Sequence, residues 1–222
     1  MQLSGIRELF EAGGIVMWPL LMCSILSVAL AAERTIFWLK IYKRQQRLAR
    51  DILNLYSLNN VVGAMEKLRK NIDLPIARVF LFTLELENPT PDEFRLALET
   101  EAKAELPLLR RFNHIFDTIV GLAPLLGLQG TIFGLIRTFA SINIGNLAAT
   151  NKAGLTAGIS EDLIATSFGL LVGITTLTFA SIFRGLYQSE TDRIEEYGGH
   201  LELLYRRRVQ LTEKDYEITK RA

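Results

Sequence analysis

The sequence predicts an all-α integral membrane protein with three transmembrane helices and a helical cytoplasmic region. Hydrophobic residues make up 49% of its 222 positions, and they gather in three apolar runs that reach the roughly 20 residues needed to cross a bilayer. Most charged residues lie between Lys40 and Arg111 or after Arg184, so the formal net charge of +1 hides a strong segregation. No long alternation of apolar and polar residues indicates a β-strand.

The first transmembrane helix is predicted over residues 15–39, after a periplasmic N-terminal segment of residues 1–14. It carries Trp18 near one end and Trp38 near the other. Twenty helical residues rise about 30 Å, the thickness of the hydrocarbon core, so the two indoles are spaced for the two aromatic belts. The run also contains Ala29-Leu-Ala31, which is similar to a signal-peptidase site. Positive charge follows the run instead of preceding it, which favours an uncleaved helix.

Residues 40–114 are predicted to form a helical cytoplasmic region. Apolar residues recur there at helical spacing, at Leu48, Ile52 and Leu55. Thr90 is expected to cap a further helix, with Pro91 as its first residue and Glu93 completing a capping box. This helix is expected to continue towards the second span with a kink near Pro107.

The second transmembrane helix is predicted over residues 115–142 and the third over residues 163–183. A periplasmic loop and a helix start occupy residues 143–162 between them. Residues 184–222 are predicted to form a cytoplasmic helical extension and tail. The glycine pair at positions 198–199 is expected to weaken this extension, because glycine is a poor helix former.

The distribution of Lys and Arg predicts which side of the membrane each segment occupies. Five basic residues and no acidic residue lie between Lys40 and Arg50, directly after the first span. The segment between the second and third spans contains Lys152 as its one basic residue. Since short basic segments stay in the cytoplasm, the N-terminus is predicted to be periplasmic and the C-terminus cytoplasmic.

Small and hydroxyl-bearing residues occupy one face of each of the last two spans. On a helical wheel, the second span groups Ala123, Pro124, Gly127, Gly130, Thr131, Gly134 and Thr138. The third span groups Ala165, Thr166, Gly169, Gly173, Thr176 and Ala180. Such faces allow close helix packing, and the predicted close-packing glycines are Gly127, Gly130, Gly134, Gly169 and Gly173. The same faces are also suited to line a central space, with Thr131 and Thr166 offering hydroxyls at one level, and the two interpretations are compatible.

Glu161 and Asp162 lie where the third span is predicted to begin. One interpretation is that they stabilise the helix dipole, with Ser160 as the N-cap. The other is that Glu161 shapes an acidic outer mouth that collects protons or cations. No carboxylate lies in the middle of a predicted span, so a proton relay through the bilayer needs an acid from another polypeptide.

Other chemistries find little support in the sequence. The single Cys23 excludes a disulfide framework, and His114 and His200 belong to no metal-ligand pattern. The near-neutral net charge gives no argument for nucleic-acid binding. We find no nucleophile motif or phosphate-binding loop, so we expect no enzymatic activity, no cofactor and no metal.

All three spans resemble the MotA/TolQ/ExbB proton channel family. The first span resembles it in Gly13-Gly-Ile-Val-Met-Trp-Pro-Leu20 and Ala32-Glu-Arg34. The second resembles it in Ala123-Pro-Leu-Leu-Gly-Leu-Gln-Gly-Thr-Ile-Phe-Gly134. The third resembles it in Gly158-Ile-Ser-Glu-Asp-Leu-Ile-Ala-Thr-Ser-Phe-Gly-Leu-Leu-Val-Gly173. Three spans with an outer N-terminus fit the ExbB/TolQ branch, because the MotA branch has four spans.

The resemblance implies a homo-oligomer in the bacterial inner membrane, specifically a pentamer. This pentamer would surround the transmembrane helices of an ExbD/TolR-type partner that carries the proton-binding Asp. Proton flow would drive motion that is passed to a TonB- or TolA-type protein, in the service of TonB-dependent transport. Thr131, Glu161 and Thr166 match the family's pore positions. Gln129 departs from the family, which usually has an apolar residue there.

Two alternatives to the ExbB-type proton-channel subunit stay open. A TolQ-type subunit would use the same spans in a motor for envelope integrity. A passive three-helix scaffold would organise a partner protein in the membrane without conducting protons.

Overall fold

The computed structural model describes residues 14–140 and 152–221, with the side chains of residues 152–162, 213, 215–217 and 221 outside the description. Within these ranges the chain forms six helices and no strand. The helices are α1 (Met17–Ser57), α2 (Val61–Arg69), α3 (Pro75–Leu84), α4 (Pro91–Leu109), α5 (Asn113–Ala140) and α6 (Lys152–Arg221). Three helical stretches are long and apolar enough to cross a membrane, which confirms the predicted fold class.

The chain divides into two compact units. The apolar unit comprises Met1–Arg34 and Phe112–Phe183, and the charged unit comprises Thr35–Arg111 and Arg184–Ala222, as far as the structure describes them. Helices α1 and α6 contribute residues to both units.

The apolar unit buries a small core and exposes large apolar side chains. Its core is formed by Val16, Met17, Leu20, Ile119, Ala123 and Ala165. Leucine and isoleucine side chains remain exposed along the same helices, among them Ile25, Leu125, Ile136, Leu171 and Ile174. Exposure on this scale is unfavourable in water but is removed by lipid, so the surface is that of a multi-pass membrane protein.

The charged unit has a conventional helical core, in which five of the six helices take part. Its most buried members include Ile52, Ala64, Leu68, Phe80, Phe94 and Leu201. The predicted helical spacing of Leu48, Ile52 and Leu55 is confirmed, since the first two are buried and the third packs against the core. A salt bridge joins Arg78 of α3 to the largely buried Glu105 of α4, and it raises the pKa of Arg78.

The predicted start of α4 is confirmed in detail. The Thr90 hydroxyl accepts a hydrogen bond from the Glu93 backbone N–H, and the Glu93 carboxylate accepts one from the Thr90 backbone N–H. The helix passes through Pro107 and ends at Leu109, so it does not continue unbroken into the second span as predicted, and the kink near Pro107 stays a prediction. A new helix starts after Phe112, whose left-handed φ of 70° interrupts the helical path.

One further expectation is wrong, and another is untested. Trp38 is only 3% exposed, so it packs inside the protein and not in an aromatic belt, whereas Trp18 is 64% exposed. The glycine pair at positions 198–199 lies inside α6, which is helical throughout that stretch, and the expected weakening stays a prediction. Packing on the core through Ile194 and Leu201, on either side of the pair, offsets the low helix propensity of glycine.

Candidate functional site

Helices α5 and α6 approach to backbone contact at two glycines. A Cβ atom at Gly169 would lie 2.6 Å from the carbonyl oxygen of Ala123. A Cβ atom at Gly127 would lie 3.0 Å from the carbonyl oxygen of Ala165. Backbone atoms cannot yield as the end of a side chain can, so any larger residue at Gly169 would force the helices apart.

Two more of the predicted glycines lie at contacts of the same kind. A Cβ atom added at Gly130 would lie 2.9 Å from the Ala165 Cβ atom. A Cβ atom added at Gly173 would lie 3.0 Å from the Pro124 Cγ atom. Gly134 lies further along α5 and is half-buried. These contacts are all within one chain, and the assignment of the same residues to a pore face stays a prediction.

The two predicted pore threonines have different surroundings. The Thr166 hydroxyl donates a hydrogen bond across the helix pair to the Gly127 carbonyl oxygen, at 3.0 Å. The Thr131 hydroxyl donates to the Leu128 carbonyl oxygen of its own helix, at 2.7 Å. Because Thr166 is level with Gly127, Thr131 lies about 6 Å, or one turn, further along α5. The threonines are therefore neighbours along the helix pair but offset by a turn, so the prediction that their hydroxyls lie at one level is wrong.

A buried hydroxyl pair joins α1 to α6, and the sequence did not predict it. The oxygens of Ser27 and Thr176 lie 2.8 Å apart, and both side chains are buried. The Thr176 hydroxyl already donates to the Val172 carbonyl oxygen, so Ser27 is the donor in the pair. Thr176 belongs to the small-residue face of the third span, but its pairing with Ser27 depends on the register of two helices that are distant in the sequence.

A second feature missed by the sequence reasoning is a buried cation in the apolar unit. Arg34 is only 1% exposed. Its Nε atom lies 2.9 Å from an oxygen of Glu33, and its guanidinium carbon lies 5.2 Å from the centre of the Phe112 ring. A carboxylate and an aromatic face both stabilise a cation withdrawn from water. The signal in the sequence was a charge next to an apolar run.

For the other residues singled out in the sequence, the structure shows no contact that assigns a role. The side chains of Glu161 and Asp162 lie outside the described residues, so the outer mouth stays a prediction. Gln129 is exposed on α5. Among the described residues, no group of three His, Cys, Asp or Glu side chains is placed to hold a metal ion.

Comparison with known proteins gives one family. Residues 71–196 match the model of the MotA/TolQ/ExbB proton channel family, a range that takes in all of α5. ExbB-like 3 of Synechocystis sp., named as a biopolymer transport protein, is 53% identical over 94% of this chain and 100% of its own length. ExbB-like 1 of the same organism is 40% identical over 89% of this chain and 78% of its own. Biopolymer transport protein ExbB of Salmonella typhimurium is 27% identical over 76% of this chain and 71% of its own.

Proposed function

Since this chain belongs to the MotA/TolQ/ExbB proton channel family, we propose that it is the proton-channel subunit of an ExbB/ExbD-type motor. In this proposal it forms a pentamer in the bacterial inner membrane, with a periplasmic N-terminus and a cytoplasmic C-terminus. An ExbD/TolR-type protein with one span supplies the membrane Asp. The motor converts proton motive force into mechanical work, which a TonB-type protein delivers for transport across the outer membrane.

The observation that carries the proposal is the Thr166 hydroxyl at the closest approach of α5 and α6. Gly127 and Gly169 hold the two helices in direct contact, so the position of this hydroxyl is fixed by backbone packing. Its one proton is donated to the Gly127 carbonyl, which leaves the oxygen lone pairs as acceptors. A protonated partner carboxyl could donate to those lone pairs.

Loss of the proton from the partner's carboxyl would reverse the roles. A carboxylate accepts hydrogen bonds and needs donors in a low-dielectric setting, because an uncompensated charge there is strongly disfavoured. The Thr166 hydroxyl would then turn from Gly127 to the carboxylate, exchanging one hydrogen bond worth about 1 kcal/mol for a stronger, charge-assisted one. Thr131, one turn away, would offer a second hydroxyl as the partner moves.

This exchange operates on an energy scale that the proton gradient can supply. Moving one charge through 100 mV releases about 2.3 kcal/mol. A barrier raised by a few kcal/mol, as when a carboxylate loses a donor, would therefore stall the cycle. Glu161 is proposed to shape the outer mouth and to raise the local proton concentration.

The test is partner-dependent proton flux in vesicles that contain the assembled complex. Thr166→Val keeps the shape of the side chain and removes the hydroxyl, so we expect flux to be abolished while the complex stays assembled. Thr131→Val should have the same effect, and Glu161→Gln should lower the rate. The controls Asp162→Asn and Gln129→Leu should retain most of the flux. Full flux in both threonine variants would contradict the proposal.

The non-conducting scaffold is kept as a second candidate because one observation favours it. The glycines and Thr166 make contacts within a single chain, and those contacts alone would account for small residues on both helices. A scaffold would bind its partner yet show no proton flux under any condition in which the complex is intact. A TolQ-type role is less favoured, because the relatives described above carry ExbB names.

A further inference from the structure

Helix α1 carries a row of positive charges near the start of its part of the charged unit. Four basic side chains recur there at intervals of three or four residues, so they share one side of the helix, and all four are exposed. They are Lys40, Lys43, Arg47 and Arg50, here called the basic face. None of the four is in an ion pair with a carboxylate that the structure describes, whereas the neighbouring Arg44 is held by Asp73 at 2.7 Å. Like charges on one face repel each other, so an external negative charge would stabilise this face.

Helix α6 carries the opposite charge on one of its own exposed sides. Three carboxylates lie there within about one turn, and no described cation forms a salt bridge with them. They are Asp192, Glu195 and Glu196, here called the acidic face. The neutral amide of Gln188 donates to Asp192 at 2.9 Å, which leaves the negative charge uncompensated. A Cβ atom added at Gly199, on the same side of the helix, would meet nothing within 4 Å, so this side is open in the single chain.

The two faces lie at the same level of the charged unit. The Tyr42 hydroxyl accepts a hydrogen bond from Arg193 at 2.8 Å. Further along both helices, the guanidinium of Arg208 lies 5.9 Å from the centre of the Tyr56 ring. Both pairs have nearly the same separation in sequence, so the helices run parallel with an almost constant register. In this register the acidic face of α6 lies beside the stretch of α1 that carries the basic face.

The two faces point away from each other. With 3.6 residues per turn, the basic face is turned about 140° from the side of α1 that meets α6. The acidic face is turned about 140° from the side of α6 that meets α1, in the opposite sense. Opposite rotations on parallel helices direct the two faces outward on opposite sides of the pair. They therefore do not neutralise each other within one chain.

We propose that the basic face of one copy of this chain packs against the acidic face of the next copy, and that this contact joins the charged units into a ring. The inference rests on the homo-oligomer of the proposed function. Copies inserted in one bilayer with the same orientation are related by rotation about the membrane normal, so touching faces lie at the same depth. Two complementary faces at one level, on opposite sides of each copy, make a head-to-tail contact that generates a closed ring.

A second copy fits the basic face better than a lipid headgroup does. Lys40 directly follows the predicted first span, but Arg47 and Arg50 lie about 10 and 15 Å further along the helix. The polar layer on each side of the hydrocarbon core is only about 5–8 Å thick, so these two guanidinium groups lie beyond the lipid phosphates. The carboxylates of a neighbouring copy at that depth supply the missing negative charge.

Cysteine cross-linking of the full-length protein in native membrane vesicles tests the contact, after the single Cys23 is replaced by serine. A chain with both Lys43→Cys and Glu195→Cys presents one thiol on each face. A short bifunctional thiol reagent should therefore give a ladder of multimers that ends at the full ring. Either substitution alone should give no multimer, because a face in a head-to-tail contact never meets its own equivalent. Dimers from Lys43→Cys alone would reveal an isologous contact and overturn the proposal.

Gln210 provides the control for depth. It is exposed on the same side of α6 as Asp192, about five turns further along. Lys43→Cys combined with Gln210→Cys places the second thiol about 22 Å beyond Glu195, and we expect no ladder. Ladders of equal strength from the two pairs would overturn the proposed level of the contact.

Charge reversal gives an independent measurement by native mass spectrometry at low salt. Lys43→Glu with Arg47→Glu sets negative charge against negative charge, so we expect the ring to be lost. Adding Glu195→Lys and Glu196→Lys exchanges the signs of both faces and should restore the ring, which a damaged fold would not allow. The control Lys214→Glu, exposed further along α6, should leave the ring intact. A ring that survives the first reversal, or that the exchange does not restore, would overturn the proposal.

The contact and the motor fail separately in these experiments. An intact ring in which the Lys43 and Glu195 thiols give no ladder would overturn the contact, as expected if lipid covers the basic face, and would leave the proposed motor standing. A full ladder in a complex that carries no proton flux would overturn the motor and support the contact. Chains that form no ring would contradict both.

Discussion

Among the glycines of the α5–α6 contact, Gly169 leaves the least room for an added side-chain atom. An added Cβ would lie 2.6 Å from the Ala123 carbonyl oxygen, so Gly169→Ala must displace a helix. We expect a loss of stability of about 1–3 kcal/mol, as in other overpacked cores. Thermal unfolding in detergent or nanodiscs would measure it.

Gly121 provides the matched control on the same helix. A Cβ there would meet nothing within 4 Å, so Gly121→Ala should be neutral or stabilise the helix slightly. Equal melting temperatures for Gly169→Ala and Gly121→Ala would show that the close contact does not hold the helix pair together.

Glu190 should make stability depend on pH in an unusual direction for a carboxyl group. Burial raises its pKa above the ordinary value of 4.5, so the folded state holds this proton more tightly than the unfolded state does. Its contribution is therefore most favourable below the unfolded pKa and is lost as the pH rises through the folded pKa. Melting temperatures of the wild type and Glu190→Gln should diverge across that interval, and a constant difference between them would contradict a raised pKa at Glu190.

The capping box at the start of α4 is the clearest element-scale target. Thr90→Ala removes the hydroxyl that accepts from the Glu93 N–H, and we expect a loss of about 0.5–2 kcal/mol. Thr212→Ala is a suitable comparison, because its exposed hydroxyl bonds only within the helix. Chemical denaturation followed by circular dichroism would report both, and a loss of similar size in the two variants would argue against a specific cap.

At the scale of helices, a feature could be predicted from the sequence when the residues that produce it are close together in the chain. The Thr90 cap was predictable because its partner is three residues away, and the small-residue faces followed from helical periodicity alone. The end of α4 beyond Pro107 was missed, because the left-handed Phe112 has no local sequence signal. The partner of Thr166 was missed too, since the bond to Gly127 depends on how α6 sits against α5.

Adjacent residues show the same limit more sharply. Gln45 and Gln46 lie in one charged stretch of α1, and nothing in their order indicates which is buried. The structure buries Gln45 almost completely and leaves Gln46 partly exposed.

At the scale of the whole molecule, the proposed orientation can be tested by cysteine labelling. In a chain whose single Cys23 is replaced by serine, an impermeant reagent applied outside should modify Asn151→Cys and spare Asn60→Cys. The opposite pattern would reverse the topology and move Glu161 to the other side of the membrane.

The proposed assembly has its own measurement. Native mass spectrometry of the protein with its single-span partner should give five copies of this chain in one complex. Gly130→Leu or Gly173→Leu should reduce that species, because each introduces a side chain at a contact of about 3 Å. An unchanged monomer in mild detergent, with both substitutions silent, would contradict the homo-oligomer.

Because the two tryptophans differ in burial, the intrinsic fluorescence of the protein can report on one of its units. The sequence contains two, of which Trp18 is largely exposed in the apolar unit and Trp38 is enclosed in the charged unit. Trp18→Phe would leave a single indole fluorophore, whose emission wavelength and lifetime report on the interior of the charged unit alone. Movements of that unit during turnover could then be followed in real time, in intact vesicles and without an attached dye.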